Sequence, residues 1–258
     1  MERYAIVCKR DEISHDIEKK LRASLDEMMT YDETHPQMVI SVGGDGTMLY
    51  SVHKYMDILE DVAFIGIHTG TLGFLTDYQK EEYLEFIEDV RQGKYQIYQR
   101  ALLEVKLKNE SFYALNEVRI ENNRRSQVLD ISINHDFFET FRGNGVCIST
   151  ASGSTAYNKS LGGAVIYSSE DLMQLSEIAG IHHNAYRSLG SSLILDKSHC
   201  VSITSRDFQE TILGIDHQVF DLNEEEELSI RLSNRYVHCI QYKQVSFTQR
   251  LRRSYLDS

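Results

Sequence analysis

In the first third of the chain, short apolar runs alternate with runs at helical spacing. Tyr4, Ala5, Ile6 and Val7, within Arg3 to Cys8, predict a first strand. Ile13, Ile17, Leu21, Leu25 and Met28 then recur with charges between them, the stripe of an amphipathic helix. Met38 to Val42 is a second, largely β-branched run and reads as a buried strand. It empties into Gly43-Gly44-Asp45-Gly46, after which Thr47, Met48, Leu49 and Val52 open another helix. Val62 to Ile67 is a third strand, followed by His68-Thr69-Gly70-Thr71-Leu72-Gly73-Phe74-Leu75. Tyr83, Leu84, Phe86, Ile87 and Val90 suit a helix closed near Gly93. Strands alternating with helices predict a parallel sheet with crossover helices, an α/β layer.

From about Tyr95 the pattern shortens to a period of two. Ile97 to Leu107, Gln127 to Asn134 and Val201 to Thr204 alternate apolar and polar residues. So do Thr211 to Val219, Leu228 to Leu232 and Tyr236 to Tyr242, which together predict a β-rich second domain. Glu170 to Ala179 reads as a helix, with Leu172, Met173, Leu175 and Ile178 on one side, and Phe247 to Tyr255 as a short basic helix. The expected division is therefore an α/β domain over 1–96 and a β-rich domain over 97–243. A C-terminal helix over 244–258 is expected to return to the first domain.

In parallel sheets, ligands bind outside the carboxyl ends of the strands, where both glycine-bearing loops are expected. A strand, a tight glycine turn and a helix start can aim backbone N–H groups at a phosphate. Asp45 is the informative residue, because a carboxylate is no ligand for an anion. It suits a general base toward a hydroxyl, or a partner of the metal ion that travels with the phosphate. An ordinary αβ turn with a capping Asp is the plainer alternative.

Three further stretches carry chemistry. Asn116-Glu117, inside the run Tyr113 to Ile120, would point to opposite faces of a strand unless a strand end brings them together. Brought together, they could accept protons from sugar hydroxyls. Phe141 to Tyr157 empties the apolar run Val146 to Ile148 into Ser149, Thr150, Ser152, Gly153, Ser154 and Thr155, with Tyr157 as a flat surface. Its apolar flanks argue against a flexible linker. Asp216-His217 sits in an expected turn, where His217 could donate to a ligand. His182-His183 reads as a solvated loop, Glu224 to Glu227 as a charged hairpin turn, and Phe74 as a core ring or a cap on a flat ligand.

Size and composition narrow the class. A chain of 258 residues can bury a substantial core, as one large domain or two smaller ones. The formal charge of −12 argues against general binding to nucleic acid or to an anionic membrane. No apolar run approaches the ~20 residues of a membrane span. Cys8, Cys147, Cys200 and Cys239 are widely spaced with no CxxC pair, neither a zinc signature nor a disulfide framework. A reducing cytoplasm is the expected location, and Met1-Glu2-Arg3-Tyr4 has no leader pattern.

Gly43-Gly44-Asp45-Gly46-Thr47, then Asn116-Glu117, then Gly153-Ser154-Thr155-Ala156-Tyr157 resemble, in order and spacing, the NAD kinase family (ATP/polyphosphate-NAD kinases). His68 to Leu75 resembles the segment after the third strand there. The likeness spans nearly the whole chain and is strongest to the short enzymes of Gram-positive bacteria. Lipid kinases and phosphofructokinases share the glycine turn; the Asn-Glu pair and the GSTAY block separate this chain from them.

The resemblance implies a Rossmann-like α/β domain plus a β-rich domain, and a homotetramer. It implies phosphorylation of the 2′-hydroxyl on the adenosine ribose of NAD by ATP with Mg²⁺, giving NADP. Asp45 would be the base, and Gly43, Gly44, Gly46 and Thr47 would flank the phosphates. Asn116 and Glu117 would hold the nicotinamide-side ribose. Thr155, Ala156, Tyr157 and Ser160 would line the adenine and ribose, with Phe74 against the ring. Arg142, Asn144, Ala179 and His217 match further ligand positions. No protein metal site is expected. Two departures stand out: Asn144 replaces a common Asp, and Ala151 a common Pro. The first is expected to alter NAD affinity without abolishing it; the second slightly loosens the turn. A non-catalytic NAD- or NADP-binding paralogue and a lipid kinase are the alternative readings.

Overall fold

The structure, a computed structural model, describes residues 1–70, 73–108, 110–167, 171–184, 186–222 and 227–256. The chain forms two units, one of Met1–Arg100 with Tyr236–Ser258, the other Ala101–Arg235.

The first unit opens with β1 (Arg3–Cys8), α1 (Glu12–Leu25), β2 (Thr30–Tyr31), β3 (Met38–Gly43) and α2 (Asp45–Lys54). It continues through β4 (Ala63–His68), β5 (Tyr78–Gln79) and α3 (Tyr83–Gln92). β1, β2, β3 and β4 pair in parallel, with β3 between β1 and β4. β3 and β4 are buried at every position, as a sheet covered on both faces requires. α1 is capped by Asp11, whose carboxylate accepts from Ser14 N, and lays Ile17, Leu21 and Leu25 on the core. α3 ends at Gly93, whose φ of 66° is the left-handed value a helix stop favours in glycine. Tyr4, Ile40, Ile65, Tyr78 and Phe86 share one hydrophobic cluster with these helices.

The chain then enters the second unit along β6 (Gln96–Leu107). There follow β7 (Glu110–Ala114), β8 (Glu117–Glu121), β9 (Gln127–Ile133), β10 (Asp136–Gly143) and β11 (Gly145–Thr150). After the short α4 (Tyr157–Ser160) come β12 (Leu172–Ile178), β13 (Leu193–Asp196), β14 (Cys200–Thr204), β15 (Ile212–Ile215) and β16 (Gln218–Asp221). β17 (Glu227–Gln241) leads back to the first unit, where α5 (Phe247–Tyr255) ends the described chain. One antiparallel sheet of the second unit runs β13-β12-β11-β8-β15-β16, and β9, β10, β14 and β17 belong to another. Val118, Ile120, Val146 and Ile148 from the first, and Leu129, Ile131, Ile203 and Ile230 from the second, fill one core.

The α/β and β-rich character read from the pattern holds, with corrections in detail. Residues 172–178 are a strand, not a helix, lying between β11 and β13. Met173 and Leu175 enter the core while Gln174 and Ser176 face the other way, so the true period is two. Glu170, where that helix was expected to begin, lies outside the described residues, as do Glu224 to Glu226 of the expected acidic turn. The two strands expected over 228–232 and 236–242 are one, β17. Thr211 to Val219 is a hairpin that turns at Asp216 and His217.

Candidate active site

β3 leads straight into the glycine turn, and α2 starts at Asp45. A Cβ on Gly43 would stand 2.2 Å from Thr47 Oγ1, so only glycine lets the turn close here. At Gly46 it would meet nothing within 4 Å. Thr47 is half-buried in the first turn of α2. His68, at the end of β4, accepts from Gly70 N at its Nδ1 (2.9 Å). Burial lowers its pKa against the pull of the Asp45 charge, so the ring is neutral at pH 7.

The Asp45 carboxylate is gripped from the segment after β4. Its Oδ2 accepts from Phe74 N at 2.8 Å and its Oδ1 from Leu75 N at 2.9 Å. Gly73 makes this approach possible, since a Cβ there would lie 2.0 Å from Asp45 Oδ1. Each carboxylate oxygen keeps a second lone-pair direction for another donor. The Phe74 ring packs against Phe247 and Tyr255 of α5, at centroid separations of 6.1 and 5.6 Å. Burial and the Asp45 charge raise the Tyr255 pKa.

In the second unit, Asn116 precedes β8 and Glu117 begins it, so the pair occupies a strand end. Asp216, in the β15–β16 turn with φ 51°, fastens it. Its carboxylate accepts from the backbone N–H groups of Leu115 (2.8 Å), Asn116 (2.8 Å) and Glu117 (3.2 Å). The hydroxyl-rich loop docks on the same stretch: Thr150 Oγ1 donates to Leu115 O (2.6 Å) and Thr150 N to Asn116 O (2.9 Å). A Cβ on Gly153 would stand 2.0 Å from Asn116 O, which explains the glycine of the GSTAY block.

β8 alternates cleanly. Val118 and Ile120 enter the core, leaving Glu117, Arg119 and Glu121 on the opposite face. Arg119 pairs with Glu121 at 2.9 Å and lies over the Tyr157 ring at 5.1 Å from its centroid. Burial, then the Asp216 charge, raise the Glu117 pKa to about 7, with Arg119 opposing. Asn116 Oδ1, Glu117 Oε2 and Ser149 Oγ are buried and have no hydrogen-bond partner among the described residues. Buried acceptors in that condition point to a ligand with donors.

Thr155 is buried, with its hydroxyl donating to Ser152 O (3.2 Å); Ala156 and Tyr157 are half-buried, and Ser160 is exposed at the end of α4. Arg142, Asn144 and Ala179 meet elsewhere, where β10 and β12 end. Asn144 N donates to Ile178 O (3.0 Å), and a Cβ on Gly143 would lie 2.6 Å from Ala179 O. Ala179 holds φ 47°, unusual for a residue with a Cβ. Arg142 lies over the Tyr186 ring, 4.4 Å from its centroid. Asn144 Nδ2 donates to Asn122 O at 2.8 Å, a bond an Asp at this position could not make. His217 is exposed beside Asp216. Sequence does not single out Asp216 or Arg119 as parts of the site. Asp216 alone left a signal, an acid at a tight hairpin turn.

Cys8, His15 and Glu18 bring three metal-ligating atoms within 4.8 Å of one another. The Cys8 thiol donates to Lys9 O at 3.4 Å, and His15 Nδ1 lies 3.2 Å from Glu18 Oε2. Among the described residues, no helix is long and apolar enough to cross a membrane.

An α/β unit with an acid in its glycine turn, joined in one chain to a β-rich unit with buried unpaired acceptors, suits a kinase that acts on a small polyhydroxy molecule. The chain belongs to the NAD kinase family: residues 4–95 match the ATP-NAD kinase N-terminal domain and 115–242 its C-terminal domain. It is 38% identical to NAD kinase 1 of Listeria monocytogenes over 265 residues, 99% of each chain. It is 40% identical to NAD kinase 1 of Oceanobacillus iheyensis over 262 residues, 98% of each. In fold it is similar to a yeast NADH kinase complexed with NADH, with a TM-score of 0.85 at 19% identity, covering all of this chain and 89% of that one.

Proposed function

We propose that this protein phosphorylates the 2′-hydroxyl on the adenosine ribose of NAD with ATP, giving NADP. The observation that carries the reading is Asp45, a carboxylate fixed in a glycine turn by two N–H donors with lone pairs to spare. One of those lone pairs takes the hydroxyl proton as the ribose oxygen attacks the γ-phosphorus. The bond to the bridging oxygen breaks, ADP leaves, and the proton passes from Asp45 to solvent. Positioning and charge neutralisation supply most of the acceleration in such transfers.

Gly43, Gly44, Gly46 and Thr47 flank the phosphates, and the open space at Gly46 suits their close approach. The unpaired acceptors of Asn116 and Glu117 receive ribose hydroxyls. Thr155, Ala156, Tyr157, Ser160 and Phe74 line the adenosine, while Arg142, Asn144 and Ala179, which meet where β10 and β12 end, and His217 are further dinucleotide contacts on the family resemblance alone. A divalent cation, Mg²⁺ in this reading, neutralises charge on the phosphates. The turn offers it one carboxylate, Asp45, whose remaining lone pairs go to the hydroxyl in this reading, which fits a cation carried by the nucleotide better than a protein cage. Polyphosphate is a second donor to test. We place the enzyme in the cytoplasm, in keeping with its free cysteines, and as a homotetramer, which light scattering of the purified protein checks.

The test is NADP formation from NAD, ATP and Mg²⁺, read with an NADP-specific dehydrogenase. Asp45→Asn is expected to lower kcat by about 10²–10⁴-fold while calorimetry still detects NAD binding. Retained turnover in that variant removes Asp45 from the role of base.

A further inference from the structure

The two N–H groups that grip Asp45 belong to a segment held from its other side by the C-terminal helix. We propose that α5 is a positioning element for Asp45 and that Arg250 is the residue through which it acts. This rests on Asp45 being the base.

Arg250 is 6% exposed, and its guanidinium spans the segment. Nη1 donates to Phe74 O at 3.2 Å and to Thr76 O at 2.6 Å, and Nη2 binds the Asp77 carboxylate, also 6% exposed. Arg100 Nη2 adds a 3.4 Å bond to Phe74 O. The carbonyl of Phe74 and the N–H of Leu75 are the two ends of one planar, trans peptide unit. Fixing the oxygen end on Arg250 therefore aims the N–H end, which meets Asp45 Oδ1 at 2.9 Å. The Phe74 N–H, one bond earlier in the chain, meets Oδ2 at 2.8 Å. Asp77 supplies the counter-charge that keeps the guanidinium buried.

α5 is itself anchored. Ser246 accepts from Gln249 N at 3.1 Å, and the Gln249 side chain accepts from Ser246 N at 3.0 Å, a reciprocal cap. Phe247 and Tyr255 press on the Phe74 ring. The chain from helix to base is continuous: cap, Arg250, peptide plane, carboxylate. A planar fork can hold two carbonyls and a carboxylate at once, and an ammonium cannot reproduce it.

Arg250→Lys in the full-length protein tests this, because it keeps the charge opposite Asp77 and removes the fork. Hydrogen exchange is read at the Phe74 and Leu75 amides, kcat and the NAD KM by NADP formation. We expect faster exchange at both amides and a fall in kcat of roughly 10–100-fold, with the NAD KM within about threefold. In an Asp45→Asn background, the same substitution should lower turnover no further. A folded Arg250→Lys protein with parental kcat overturns the proposal, and so does a fall in kcat with both amides still protected. Parental turnover in Asp45→Asn alone would instead refute Asp45 as base, leaving amide exchange to report on the anchor. If Arg250→Lys does not fold, Ser246→Ala loosens the helix through its cap, and the same two readouts apply.

Discussion

Glu117 offers the sharpest test of how the second unit is built. Burial first and the Asp216 charge second raise its pKa from 4.5 to about 7. At about 1.4 kcal/mol per pH unit of displacement, the raised value corresponds to roughly 3 kcal/mol. The sign follows from which state holds the proton more tightly. A carboxyl raised on folding binds its proton better in the native state, so its stabilisation is complete below pH 4.5. It is lost as pH rises through about 7. Glu117→Gln is permanently neutral and mimics the protonated acid. Without ligand, the variant should match the parent near pH 4.5 and exceed it by roughly 3 kcal/mol above about pH 8. Urea unfolding of both proteins between those limits, compared at unchanged m, measures the difference directly. A difference that stays flat across the range would refute the reasoning, because it would mean that Glu117 titrates alike in both states. NAD should also bind the variant more weakly at high pH, because one acceptor has become a donor.

Gly73→Ala puts a Cβ where Asp45 Oδ1 lies, 2.0 Å away, and should lower kcat by about 10²-fold with calorimetric NAD binding retained. Gly153→Ala drives a Cβ against Asn116 O at 2.0 Å; overpacking of about 1–3 kcal/mol should lower Tm in a scan and raise the NAD KM. Asn144→Asp removes the donor to Asn122 O and sets a carboxylate oxygen against that carbonyl. It should lower the urea midpoint by the equivalent of about 1–3 kcal/mol and change the NAD KM.

What sequence could show depended on whether the controlling contact was local. The glycine turn was legible because strand, turn and helix start are contiguous, and Asp45 stands within them. Glu117 and Asn116 were legible as types but not as geometry, because a strand end looks like a strand interior until Asp216, about a hundred residues on, fastens it. The segment 172–178 was misread for the same reason. Leu172, Met173, Leu175 and Ile178 satisfy helical spacing, yet pairing with β11 and β13 decides the conformation, and Gln174 becomes useful only there. Its side chain donates to and accepts from the backbone of Ala164, which holds the loop that follows the GSTAY block.

Arg250 was the least legible of all, being one arginine of a basic tail whose partners lie more than 170 residues earlier. Its burial sets it apart from the exposed Arg252 and Arg253 beside it. A buried charge is costly unless it is paired and hydrogen-bonded, and the bonds of Arg250 fall on two carbonyls and an acid of the segment that grips Asp45. The cost is acceptable if the precision it gives is needed. In the role proposed for Asp45, a base must meet its hydroxyl within a few tenths of an ångström, and the donors that hold its carboxylate, Phe74 N and Leu75 N, lie outside the glycine turn. The tail of the chain supplies that constraint.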